Sequence, residues 1–256
     1  MPKENVDVIY SVKGDNKLKQ ATKKMSTSIS GFIKNVVTSK LSLAALGIAI
    51  GVAVRDFAKF ETAMVNVGNL VNATNKEVAE LSKEVLDISG RLPQSAQQLS
   101  EALFDVVSAG VALQDSTKFL ETSARLAISG VTTTAIAVDG LTSAANAYGI
   151  AFDKAGEISD KFFAAQKAGK TTIAELSSNI GKVAPIAAAT GVSLDELLGT
   201  ISTMTLQGIK TAEATTQIKA ALTALVKPGT DAKKLAEDIG LEFNTQALEA
   251  KGLSGF

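Results

Sequence analysis

The chain has 256 residues, 26 Lys/Arg against 26 Asp/Glu, and no Cys, His or Trp. With 46% hydrophobic and 20% charged residues it is neither a disordered polymer nor a polytopic membrane protein. The missing Cys and His exclude disulfides, thiolate nucleophiles, His-assisted catalysis and almost every zinc or haem site.

Thirty-nine alanines against 12 aromatics favour close helix packing over a sheet. The zero net charge conceals an asymmetry: residues 1–60 hold ten Lys/Arg and four Asp/Glu, the remainder 16 and 22. The basic excess is densest at Lys13, Lys17, Lys19, Lys23 and Lys24. Two readings stay open for these lysines: an electrostatic footprint for phosphates or an acidic surface, or a solvated helix face, which the absence of interleaved Arg and aromatics favours; no specific nucleic-acid site is expected.

In chain order, Val6, Val8, Tyr10 and Val12 alternate with mostly polar residues and predict an extended arm ending at Gly14-Asp15. A Lys- and Ser-rich, weakly helical stretch follows, so residues 1–40 form a basic N-terminal segment. Residues 41–54 are the most apolar run, bracketed by Lys40 and Arg55-Asp56. As a helix they span roughly 21 Å, short of a bilayer core of about 30 Å. Within the 41–55 helix, Ala44, Gly47 and Gly51 form a small-residue strip that lets helices approach closely. Two readings stay open for that strip: an ordinary buried helix, or a self-association or conditional membrane-insertion segment.

From residue 56 to 228 the pattern is a core of short amphipathic helices. Val78, Leu81, Val85 and Ile88 make one stripe; Leu99, Leu103, Val106 and Val107 another; Leu194, Leu197, Leu198 and Ile201 a third; Ile218, Leu222, Leu225 and Val226 the last. Helix starts are marked by the capping-box pairs Thr74/Glu77, Ser95/Gln98, Thr172/Glu175 and Ser193/Glu196. Stops are marked by Gly90, Gly110, Gly130, Gly149, Gly169, Gly191 and Gly208, since Gly enters the left-handed region without a Cβ penalty. Pro185 is expected to kink or split the helix running from Ile173 to about Ala189. Pro228-Gly229 closes the core, and residues 229–256 read as the start of a truncated continuation. The fold class is therefore all-α: an array or bundle of short amphipathic helices after an extended arm and an apolar helix.

Three motifs tempt a functional reading. Ala164 to Thr171 looks like a phosphate-binding loop, but Ala164 stands where Gly is required and no strand precedes it. Asp195 and Glu196 are adjacent carboxylates in the first turn of a helix, where the dipole and the cap explain them. Asn72-Ala73-Thr74 matches a glycosylation sequon, yet Thr74 is already used as a cap. No nucleophile, base and oxyanion donor assemble, so neither an enzyme nor a bound cofactor or metal is expected.

From Phe57 onward an ordered set of phrases resembles the TP901-type core region of phage tail tape measure proteins. Phe57 to Glu61 with Met64-Val65 resembles the family's opening helix. Leu81 to Ile88, Leu92 to Ala96 and Leu99 to Val111 resemble its second block. Leu126 to Ile128, Ala144 to Gly149, Ala174 to Gly181, Ala187 to Ser193, Leu206 to Ile209 and Leu225 to Pro228 continue it.

The resemblance implies a structural protein of a long-tailed phage or prophage, assembled in the host cytoplasm and residing in the lumen of the tail tube. It would template tube assembly and tail length and leave at DNA ejection. Implied partners are other copies of itself, the tail tube protein, tail assembly chaperones and tail tip or distal tail proteins, with possible host membrane contact at ejection. The alternative is a membrane-active helical protein, pore-forming or secreted and toxin-like, whose apolar segment is its working part. Family members usually run far longer, so the chain reads as the N-terminal part of one.

Overall fold

The computed structural model describes residues 43–238, 242, 244–253 and 255. The expected basic arm and its Val6–Val12 alternation lie outside the described residues. The chain divides into two units, Met1–Asp56 and Phe57–Phe256.

Among the described residues the regular structure is helical throughout. The helices are α1 (Leu43–Leu70), α2 (Asn75–Arg91), α3 (Ala96–Ser108), α4 (Leu113–Ser129), α5 (Thr134–Tyr148), α6 (Ala155–Ala168), α7 (Ile173–Ala189), α8 (Leu194–Leu206), α9 (Thr211–Val226), α10 (Thr230–Asp238) and α11 (Thr245–Lys251). A single 3-10 turn at Phe152–Lys154 leads into α6. No single described helix is long and apolar enough to cross a membrane.

The helix that carries the apolar segment does not end at Arg55-Asp56. Helix α1 continues unbroken for 28 residues, about 42 Å, because nothing between Arg55 and Leu70 breaks the backbone ladder. Its later half buries Phe60, Met64 and Val67, spaced to share one helix face.

Within Phe57–Phe256 the helices form a bundle around a central pair. Helix α5 packs on α3, α4, α6 and α7, and α7 packs in turn on α6, α8 and α9. The central pair is built from small residues. A methyl placed on Gly140 of α5 would lie 2.7 Å from the Cα of Ser177 on α7, and one on Gly181 of α7 would lie 3.1 Å from Ser143 Oγ. Such contact lets the backbones approach closely, as the Ala-rich composition promises.

The amphipathic stripes place the larger side chains around that pair. Leu81, Val85 and Ile88 of α2, all four residues of the α3 stripe, and all four of the α8 stripe are buried. Full burial of each such side chain contributes about 1.5–3 kcal/mol. Phe119 of α4 meets Phe152 edge-on, 5.6 Å between ring centroids. Val226 departs from its predicted stripe: it is exposed, whereas Ile218, Leu222 and Leu225 are buried.

Helix α7 remains one helix through Pro185, so the proline does not split it. Position 185 lies in the last two turns, where the carbonyl left without its N–H donor belongs to Gly181 beside the α5 crossing.

The glycine stops divide by cause. Gly110, Gly149, Gly191 and Gly208 take positive φ just past helix ends, the conformation their spacing predicts. Gly90 instead lies inside α2, which closes at Arg91. Gly130 and Gly169 have φ of −90° and −116° and are glycine for lack of room. A methyl on Gly130 would lie 2.5 Å from Ile173 Cβ, and one on Gly169 would lie 2.8 Å from Ser202 Cα. With Gly130 held this way, the left-handed step of the α4–α5 corner falls on Val131, at φ 51° and 92% exposed. A β-branched residue is strained there, and burial offsets none of the cost.

Candidate functional site

Without Cys or His, reactive chemistry in this chain must come from carboxylates, amines and hydroxyls. The fold uses many of these to hold helix ends and helix pairs. At α2, Thr74 N–H donates to Glu77 Oε2 at 2.7 Å while Thr74 Oγ1 accepts from Glu77 N–H at 3.3 Å. The Thr74 N–H, and then the Thr74 hydroxyl that donates to the same Oε2 at 2.7 Å, hold the Glu77 carboxyl below its ordinary range. The same reciprocal pair forms at α3, where Ser95 N–H donates to Gln98 Oε1 at 3.0 Å. At α7, Thr172 N–H donates to Glu175 Oε2 at 3.1 Å.

Ser193 completes only half of its box. Its Oγ accepts from Glu196 N–H at 3.2 Å, but Glu196 does not reach back. The Glu196 carboxylate accepts instead from the Leu253 N–H, 57 residues on.

Glu175 does more than cap. Its Oε2 also accepts from Thr211 Oγ1 at 3.3 Å, and Thr211 Oγ1 lies 2.7 Å from Thr171 Oγ1, which ties the start of α7 to the start of α9. Asp195, the neighbour of Glu196, pairs with Lys161 of α6. Thus the two adjacent carboxylates face separate tasks.

Between α2 and α4 lies an open groove of about 510 Å³ lined by charged side chains. Arg91 grips Glu121 with two bonds of 2.7 and 3.1 Å, Arg125 joins Glu121 at 2.7 Å, and Asp87 accepts from Arg91 at 3.1 Å. The Arg91 bonds, then those from Arg125, hold the Glu121 carboxyl below its ordinary range. Thr117 Oγ1 donates to Glu84 at 2.6 Å across the same groove.

Two groups are held unfavourably. Burial, with Asp139 and then Glu101 nearby, pushes the Asp105 carboxyl upward. Tyr148 Oη is buried without a hydrogen-bond partner among the described residues, and burial raises its phenol, with a smaller push from the Glu196 carboxylate.

Ala44, Gly47 and Gly51 fall on α1, but the side-chain surroundings of residues 43–54 lie outside what is described. The phosphate-loop look-alike is the end of α6 and the corner beyond it: Lys170 N–H donates to Thr205 Oγ1 at 3.0 Å. Among the described residues no three metal-ligating side chains converge.

The long-range ties escaped the sequence reading. Glu121 with Arg91, Glu175 with Thr211, and Glu196 with Leu253 lie 30 or more residues apart, and local spacing carries no signal for them.

A family model described as phage-related minor tail protein matches residues 76–256. The chain is 23% identical over 219 residues to the tape measure protein of Pneumococcus phage Dp-1, covering 86% of this chain and 19% of that protein. It is 28% identical over 208 residues to a probable tape measure protein of Clostridium phage phiCD119, covering 77% of this chain and 22% of that one. The chain thus spans about a fifth of the length of these relatives. No solved structure matches it.

Proposed function

Because the chain belongs to the phage-related minor tail protein family, we propose that it acts as a tape measure, supplying a helical interaction block near one end of a longer ruler. The observation that carries this reading is coincidence: the family match over residues 76–256 covers nearly all of the helical bundle. It is a tape measure-type phage tail protein, and its relatives are named as tape measures rather than as enzymes.

Length measurement itself fits the folded block poorly. Helices of 13–17 residues from α2 to α9 reach only about 20–26 Å each, and they fold back on one another. One continuous helix of the same chain would reach about 384 Å. In this reading, ruler length resides in the remaining four-fifths seen in the relatives, while the bundle docks. Its partners would be the tail tube protein, the tail assembly chaperones, tail tip proteins and further copies of itself, within the tube lumen. Departure at DNA ejection, with contact between the 41–55 helix and the host membrane, belongs to the same proposal.

In-frame removal of residues 57–226 in a phage carrying this gene tests it. Electron microscopy is expected to show no tails, or tubes of uncontrolled length. Tails of normal length and number would refute the role. Mass spectrometry of purified tails before and after triggered ejection checks the location, since the chain should be present before and depleted after.

A further inference from the structure

Four helices open on the same local pattern, a hydroxyl followed three residues later by an acid or amide. In three of them that acid or amide returns to the cap's own N–H. At α8 it does not, because Glu196 accepts the Leu253 N–H beyond α11. The docked segment is built around this bond. Gly252 stands at φ +71°, which favours glycine, and a methyl there would lie 2.5 Å from Glu196 Oε1, so a side chain would have to displace that carboxylate. Asn244 Oδ1 caps α11 by accepting from Ala247 N–H at 2.8 Å, and Ala247 and Leu248 are buried.

Glu196 therefore has two acceptor roles of equal chemistry, and in this structure it fills only the one at Leu253. We propose that residues 245–253 form a releasable strap, and that Glu196 exchanges between Leu253 N–H when the strap is down and Ser193 N–H when it is off. Release costs one hydrogen bond to a carboxylate and the burial of Ala247 and Leu248, and completing the capping box returns a hydrogen bond of the same kind. The carboxylate is never left unpaired, so the strap opens without drawing the bundle with it. A seven-residue helix does not persist alone, so the released strap is unfolded chain. This holds whether or not the protein is a tape measure.

Hydrogen exchange on the full 256-residue chain tests the exchange of partners. Gly252→Ala blocks only the docked arm; Leu248→Ala frees the strap by another route and leaves Gly252 intact. Both are expected to speed exchange across 245–253 at least tenfold, to slow the Ser193 amide at least threefold, and to leave α5 and α7 protected as before. Adding Glu196→Ala to either should abolish the slowing at Ser193. The proposal is overturned if α5 and α7 lose protection with the strap, if 245–253 exchange as before in both variants, or if the Ser193 amide ignores Glu196.

Discussion

Two helix pairs in this molecule are joined by opposite means. Helices α5 and α7 meet through Gly140, Ser143, Ser177 and Gly181, with no room for a methyl on Gly140 and little for one on Gly181. Helices α2 and α4 meet across an open groove through Arg91, Glu121, Arg125, Glu84 and Thr117, on long side chains that solvent reaches. The first contact is short and intolerant of volume, since packed interiors relax only partly. The second is adjustable and screened, since exposed ion pairs contribute little and weaken with salt. A substitution at the crossing should therefore act on the whole bundle, and one in the groove should stay local.

The largest effect is expected from Gly140→Ala, which should destabilise by about 2–3 kcal/mol through overpacking against the Ser177 backbone, measured by urea denaturation. Adding Ser177→Gly should recover only part of this, because the Cα of Ser177 remains in the way. Full recovery would show that the crossing yields more than its geometry implies.

Next comes Ser177→Ala. Its hydroxyl is buried without a hydrogen-bond partner among the described residues, so removing it should stabilise by about 1 kcal/mol. A loss of stability would show that the hydroxyl is satisfied after all.

In the groove, Glu121→Gln should cost less than about 1 kcal/mol after allowance for solvent screening, and nothing measurable in 1 M salt. Its pH dependence has a fixed sign. A carboxyl held low in the fold contributes stability above its ordinary value of about 4.3, and that stability is lost as pH falls through the lower folded value. Wild type and variant should converge in that acidic range.

Asp105→Asn should act least and oppositely, gaining a few tenths of a kcal/mol at pH 7 once screening is allowed for. Because the folded carboxyl is raised, its penalty is absent below its ordinary value of about 3.9 and grows as pH rises through the folded value. The gain should vanish in thermal melts carried out below pH 3.5 and persist at neutrality.

Much of the bundle was legible in advance because its signals are local. Thr74 and Ser95 cap within three residues of themselves, and Leu99 and Leu103 share a face by helical period alone. Local rules misled at two places, once where a distant residue took the space and once where a charge pair looked like a boundary. Gly130 reads as a left-handed stop, but Ile173 leaves no room for a side chain there and the left-handed residue of that corner is Val131. Arg55-Asp56 reads as a helix boundary, but two charges on an exposed face do not interrupt backbone hydrogen bonds, and α1 runs on to Leu70. The small-residue strip drew attention to Gly47 and Gly51, while the close crossing seen in the bundle uses Gly140 and Gly181, interleaved with serines rather than set in a plain GxxxG.

The sequence by itself determined that this chain is helical, where most helices begin, which faces are apolar, and that it resembles a tail tape measure protein. Those properties rest on interactions within a turn or two, or on ordered phrases along the chain. Only the tertiary structure decided which helix meets which, why Gly130 and Gly169 must be glycine, and where the Glu196 carboxylate goes. Each depends on atoms brought together across 30 to 60 residues, and there the choice between equivalent hydrogen bonds or equally small side chains is made by packing.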